Sequence, residues 1–231
     1  MSEIHVRPLA VMAEAQWSFE SVNPQWRAHS YSMTSTFDPF PAYAHDVGLV
    51  AAEAARVSAL CPPLWDINLY VADREETGRS NGHSNVHEDG HYEGDDWVKD
   101  PPIGLIVLSG KRIPPHPAMT RHLVAHEYGH HVQWMLNQVG GARHLHDDHG
   151  HMTEYAELRG LPEDAVHHGT GGRWHDSVRE VFACDFRILV CETEREFWPH
   201  PGIPRPEDVP GLVDWWADAV KRIEAAASAQ S

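Results

Sequence analysis

Three cysteines in 231 residues are too few, and odd in number, for a disulfide framework. Cys184 and Cys191 fall on one expected helix, where seven positions give roughly 10 Å of rise, too far for a bridge. Reduced thiols point to the cytoplasm. The start of the chain, MSEIHVRPLAVMAEAQW, lacks the basic segment and long apolar run of a secretory signal. No apolar stretch reaches the roughly 18 residues of a membrane span. Basic residues are scarce as well. The chain has 18 Lys and Arg against 34 Asp and Glu, a formal net charge of −16. Such a chain repels nucleic-acid backbones and anionic membrane surfaces, so neither partner is expected. Internal repeats and low-complexity segments are also missing.

Other residues are plentiful. Hydrophobic residues make up 42% and Trp occurs nine times, enough for a substantial core. The 19 His titrate near neutrality, so acidification shrinks the negative charge. The length suits one domain over 1–231. We expect a sheet-and-helix part (1–140), a mainly helical part (141–231) and a cleft between them.

Residues 1–40 mix aromatics, Pro and polar residues, which predicts irregular structure with short strands. A helix is expected from about Tyr43 to Leu60, stopped by Cys61-Pro62-Pro63. Trp65 to Val71 alternates and reads as a strand. Residues 72–102 read as a long polar loop. Ile103 to Leu108 is a continuous apolar run, the pattern of a strand buried on both faces. A helix from about Ala118 to Gln138 is apolar around most of its circumference, hence central and buried. Gly140-Gly141 ends it. Further helices are expected near Thr153–Leu158, Trp174–Glu192 and Leu212–Ala227, with a Gly-rich turn at 169–172.

The chemistry concentrates on the central helix. His126 and His130 stand at i and i+4, about 40° apart around the axis, so both imidazoles reach one point. That point can hold Zn²⁺. Glu127 lies about 100° round from His126, where it can take a proton from a metal-activated water without ligating the metal. This is the H-E-x-x-H motif with its mechanism. The competing reading is a His-rich surface helix. The nearly all-round apolar helix counts against it, since buried polar groups need partners and a metal supplies one.

A catalytic zinc needs a third protein ligand and an open position. The spacing H-E-x-x-H-x-x-G-x-x-H is not met, because Gln133 and Leu136 fill the Gly and third His places. A Glu on a second helix is the next choice. On the helix that carries the 177–187 segment, Val178, Val181, Phe182 and Leu189 form an apolar stripe, and Glu180 lies nearly opposite, beside the small Ala183 and Cys184. Asp176 is the rival, and the His-rich 144–151 segment is a third source. Asp185 falls inside the stripe, and as a buried carboxylate it needs a ligand His N–H or a nearby Arg as partner. Cys184 is either a soft competing ligand or a small core residue.

His126-Glu127-Tyr128-Gly129-His130-His131-Val132-Gln133, followed by a Glu-bearing helix, resembles the gluzincin class of zinc metallopeptidases. The stretch is similar in particular to bacterial neutral zinc peptidases. The resemblance covers this helix and the 177–187 helix. It implies a zincin-like α+β fold, with a small mixed sheet packed on the motif helix. It implies His126, His130 and Glu180 as Zn²⁺ ligands, Glu127 as base and proton shuttle, and a peptide substrate. The 103–108 strand would then flank the cleft and pair with an extended peptide. One departure stands out. The gluzincin pattern has an Asp four residues after the ligand Glu, where this chain has Cys184, with Asp185 one later.

Peptide hydrolysis also needs an oxyanion donor. Tyr155 and His175 lie between the two metal-binding segments and are the leading candidates, with Tyr128 a third. His83, His87 and His91, and the 144–151 cluster, are expected to be solvated loops, with metal binding or a lid role as the alternative. The expectation is a zinc-dependent hydrolase, a peptidase by resemblance. A zinc enzyme of small-molecule metabolism on the same scaffold and a non-catalytic metal-binding protein are the alternatives. Glu127 speaks against the last, since mere binding does not require it.

Overall fold

A computed structural model describes residues 2–9, 17–18, 34–35, 37–76, 81–88, 90–93, 96–142, 144–146, 151–161, 177–193 and 196–230. The fold is α+β. Strands β1 (Ile4–Leu9), β2 (Trp17–Ser18), β3 (Thr34–Ser35) and β4 (Phe37–Pro41) precede helix α1 (Val47–Leu60). Then come β5 (Ile67–Ala72), β6 (Arg74–Glu76), β7 (Gly82–His87), β8 (Gly90–Glu93), β9 (Asp96–Lys99) and β10 (Ile103–Leu108). Helices α2 (Pro117–Val139), α3 (His151–Leu158), α4 (Val178–Asp185) and α5 (Leu212–Ala229) complete it, with a π-helical segment at Phe186–Val190 after α4.

The main sheet has the order β1-β5-β10-β7. β1 and β10 both run parallel to β5, and β7 runs antiparallel to β10. β5 and most of β10 are buried, as their unbroken apolar runs demand. Ile106 and Leu108 join the larger core under the helices, while Leu105 and Val107 join a smaller one with Leu9, Phe37, Tyr70 and Ala72. Among the described residues, no helix is long and apolar enough to cross a membrane.

The helix ends follow their local chemistry. α1 begins at Val47, later than the expected Tyr43, because Asp46 caps it by accepting from the Leu49 N–H at 2.8 Å. Pro117 opens α2, and Gly141, at φ 75°, sits in the left-handed turn just beyond its end. α2 is central: nearly every residue from Leu123 to Asn137 is buried. It packs on α1, α4, α5 and the sheet.

Two expectations are corrected. Residues 72–102 are not one loop, because they carry β6 to β9. β7 escapes the apolar pattern because it carries polar side chains that find partners on other elements. The buried His83 Nδ1, for example, lies 2.9 Å from Glu76 Oε2. Nor is the 103–108 strand exposed to a peptide, since β5 and β7 flank it on both sides. Among the described residues β7 forms the edge of the sheet beside β10, and β1 forms the opposite edge.

Candidate metal centre

The site is built where α2 meets α4. Gly129 makes the contact possible. A Cβ at that position would stand 2.8 Å from the Ala183 Cα and 3.1 Å from its carbonyl oxygen, closer than carbon atoms approach. The missing side chain lets the two helices touch, and α4 then carries Glu180 over the two imidazoles of α2.

The Nε2 of His126 lies 3.1 Å from Glu180 Oε2, and the Nε2 of His130 lies 3.8 Å from Glu180 Oε1. One ligand atom from each of the three residues falls within 4.8 Å of the other two. Donors around a tetrahedral Zn²⁺ with bonds near 2.0–2.1 Å stand roughly 3.3 Å apart, so the spacing fits with small adjustments. Two imidazoles and a carboxylate form a borderline-hard set suited to that ion. No other group of three or more His, Cys, Asp or Glu among the described residues meets the same spacing.

The environment keeps the imidazoles neutral, the form that binds metal. Burial pushes His126 down to about 3, helped by the Arg187 guanidinium. Burial also pushes His130 down to about 4, against the opposing pull of Glu180. His126 Nδ1 lies 3.5 Å from Cys184 Sγ. With its Nδ1–H donated to that sulfur, the Nε2 lone pair would face an ion held between it and Glu180; without the ion, Nε2–H donates to the Glu180 carboxylate. Cys184 is buried one helical turn after Glu180, on the same side of α4.

Glu127 is buried at the start of this group, and Ser84 on β7 holds it. The Ser84 Oγ lies 2.7 Å from Glu127 Oε2 and 2.8 Å from the Glu127 carbonyl oxygen. Glu127 therefore ties the motif helix to the edge strand β7. His122 stacks one turn before His126, with ring centroids 6.3 Å apart, and Phe197 lies against His122 at 5.2 Å.

The remaining expected site residues separate clearly. Tyr155 is fully buried, and its O–H donates to Asp185 Oδ2 at 2.5 Å. Its hydroxyl is committed to a buried carboxylate rather than offered to an oxyanion. Tyr128 donates to the Cys61 carbonyl oxygen at 2.6 Å, which ties α2 to the end of α1. Asp185 faces Arg159 at 3.1 Å, so the Arg is its partner and not a ligand imidazole. His175 and Asp176 lie outside the described residues, as do 147–150. His83 and His87 stand on one face of β7, and the side chain of His91 lies outside the description. His146 is exposed, as expected of that segment, and its Nε2 lies 3.1 Å from the Val86 carbonyl oxygen.

Two residues close to the chemistry escaped the sequence reading in that role. Cys184 had a usable signal, its i+4 spacing from Glu180. Ser84 had none, since nothing local marks a Ser that reaches 43 positions along the chain. No protein-family model matches this chain, and no curated protein or solved structure matches it either.

Proposed function

We propose that this protein is a zinc-dependent hydrolase of zincin-like fold that cleaves peptide bonds. The observation that carries the reading is the convergence of His126 Nε2, His130 Nε2 and the Glu180 carboxylate, with Glu127 adjacent and buried. The preference for peptides rests on the resemblance of the motif helix and on β7, the edge strand among the described residues, beside it.

His126, His130 and Glu180 would hold the ion. When bound, zinc supplies Lewis acidity toward a carbonyl oxygen and toward water. Glu127 accepts the proton of the attacking water at its carboxylate and delivers it to the departing amine. The Ser84 hydroxyl, 2.7 Å from Oε2, holds that carboxylate in place. Burial of both imidazoles keeps them unprotonated, so Glu127 is the acid–base group of the site.

The test is metal analysis with a peptide digest of the wild type and three variants. Glu127→Gln is expected to keep zinc and lose activity, whereas His130→Ala and Glu180→Ala are expected to lose zinc. Full zinc occupancy in Glu180→Ala would remove Glu180 from the ligand set. Zinc-loaded wild type that cleaves no peptide would move the reading to hydrolysis of a small molecule.

A further inference from the structure

We propose that the outer edge of β7 is stopped at Val86 by His146 and Asn85, so that the site receives the end of a peptide chain and not its interior. This rests on the peptidase reading above and specifies its substrate class.

The geometry of β7 sets the argument. The Asn81 carbonyl oxygen accepts from the Ser109 N–H at 3.0 Å, so odd-numbered positions here turn their backbone groups toward β10. Backbone direction alternates along a strand. Gly82, Ser84 and Val86 therefore turn outward, and an extended peptide could pair only with them. At Val86 both groups are already taken. Its N–H donates to Asn85 Oδ1 at 2.8 Å, and its carbonyl oxygen accepts from His146 Nε2 at 3.1 Å.

The block is anchored. The Leu145 N–H donates to Glu88 Oε2 at 2.8 Å, and its carbonyl oxygen accepts from Asn137 Nδ2 at 2.8 Å. Leu145 itself is buried. The His146 carbonyl oxygen accepts from Arg179 Nη2 at 3.1 Å, next to Glu180. The His146 ring meets Trp134 edge-on at 5.4 Å, and Trp134 lies 6.5 Å from His130. Residues 144–146 thus form a strap from the end of β7 to α4, across one end of the site.

The distance decides the substrate. Glu127 stands at Ser84, so the reacting bond lies beside that residue. Val86 is two residues further, about 7 Å along the strand. A chain paired at Ser84 has room for no more than about two residues before it meets the strap.

The test uses zinc-loaded full-length protein and a mixture of synthetic peptides of about fourteen residues and varied sequence, with cut sites mapped by mass spectrometry. Parallel sets with acetylated N-termini or amidated C-termini show which end is received. Wild type is expected to cut within two residues of one end. His146→Ala combined with Asn85→Ala is expected to raise internal cutting, relative to terminal cutting, at least tenfold. His146→Gln keeps an N–H donor for Val86 and is expected to restore the terminal pattern. Internal cutting by wild type as fast as terminal cutting would overturn the stop while leaving the peptidase reading intact. So would an unchanged pattern in the double variant, if it still folds and binds zinc. No cutting of any peptide by zinc-loaded wild type would remove both.

Discussion

Gly129→Ala probes the contact on which the metal centre depends. Its effect can be worked out from one position. The new methyl carbon would lie 2.8 Å from the Ala183 Cα, 3.1 Å from its oxygen and 3.2 Å from its Cβ. Carbon atoms pack at about 3.5–4.0 Å, so α4 must retreat by roughly 1 Å at that point. Backbone atoms cannot swing aside as a long side chain would. Replacing Gly by Ala inside a helix would otherwise stabilise by about 0.5–1 kcal/mol. Overpacking a buried contact costs about 1–3 kcal/mol. The clash therefore outweighs the propensity gain, and a net loss of about 1–2 kcal/mol is expected by urea denaturation of the metal-free protein. Zinc binding should suffer more. Glu180 is one turn from Ala183 and moves with it. A site needs its ligands within about 0.5 Å of the productive geometry. A drop in zinc affinity of about tenfold or more is expected by competition with a chromophoric chelator. A Gly129→Ala protein as stable as wild type and with unchanged zinc affinity would refute the close approach of α2 and α4.

Other outcomes follow from the same structure. Cys184→Ala removes the sulfur beside His126 Nδ1, and zinc affinity is expected to fall by about tenfold while the fold survives, as read by chelator competition and circular dichroism. Tyr155→Phe deletes a buried hydroxyl bound to Asp185, so about 1–3 kcal/mol of stability should go while kcat on a cleaved peptide stays within about threefold of wild type. A fall of about a hundredfold or more would instead restore Tyr155 as an oxyanion donor. His45 is buried against Thr120, and burial, with Lys111 nearby, lowers it to about 4. The unfolded chain takes up this proton near pH 6.5 and the folded chain does not. Stability from His45 is therefore full above 6.5 and declines as pH falls from 6.5 to about 4, by up to about 1.4 kcal/mol per pH unit. His45→Asn should flatten that decline in urea titrations at pH 7 and pH 5.

The motif residues are the most legible, because their partners lie close in sequence. His126, Glu127 and His130 share one turn, and helix geometry alone brings the imidazoles together. Glu180 was legible from the face it occupies on α4, opposite Val181 and Phe182. β10 was legible because burial on both faces requires an unbroken apolar run. β7 was hidden for the opposite reason. Its polar side chains are satisfied by Glu76, from an earlier strand, and by Glu127, from a later helix. No local pattern encodes such pairs. Asp185 was legible as a buried carboxylate needing a partner, but only the fold chose Arg159 over an imidazole. The edge role expected of 103–108 fails because the polar β7, which no local pattern marks as a strand, pairs with β10 on that side.

X-ray absorption at the zinc edge tests the central claim most directly, on full-length protein loaded with one equivalent of zinc. The account predicts nitrogen and oxygen scatterers at about 2.0–2.1 Å, an imidazole signature for two His, and no sulfur at about 2.3 Å. The Glu180→Ala protein should lose that signal. A sulfur shell would place Cys184 in the ligand set instead of beside His126. Failure to bind stoichiometric zinc would contradict the metal centre itself.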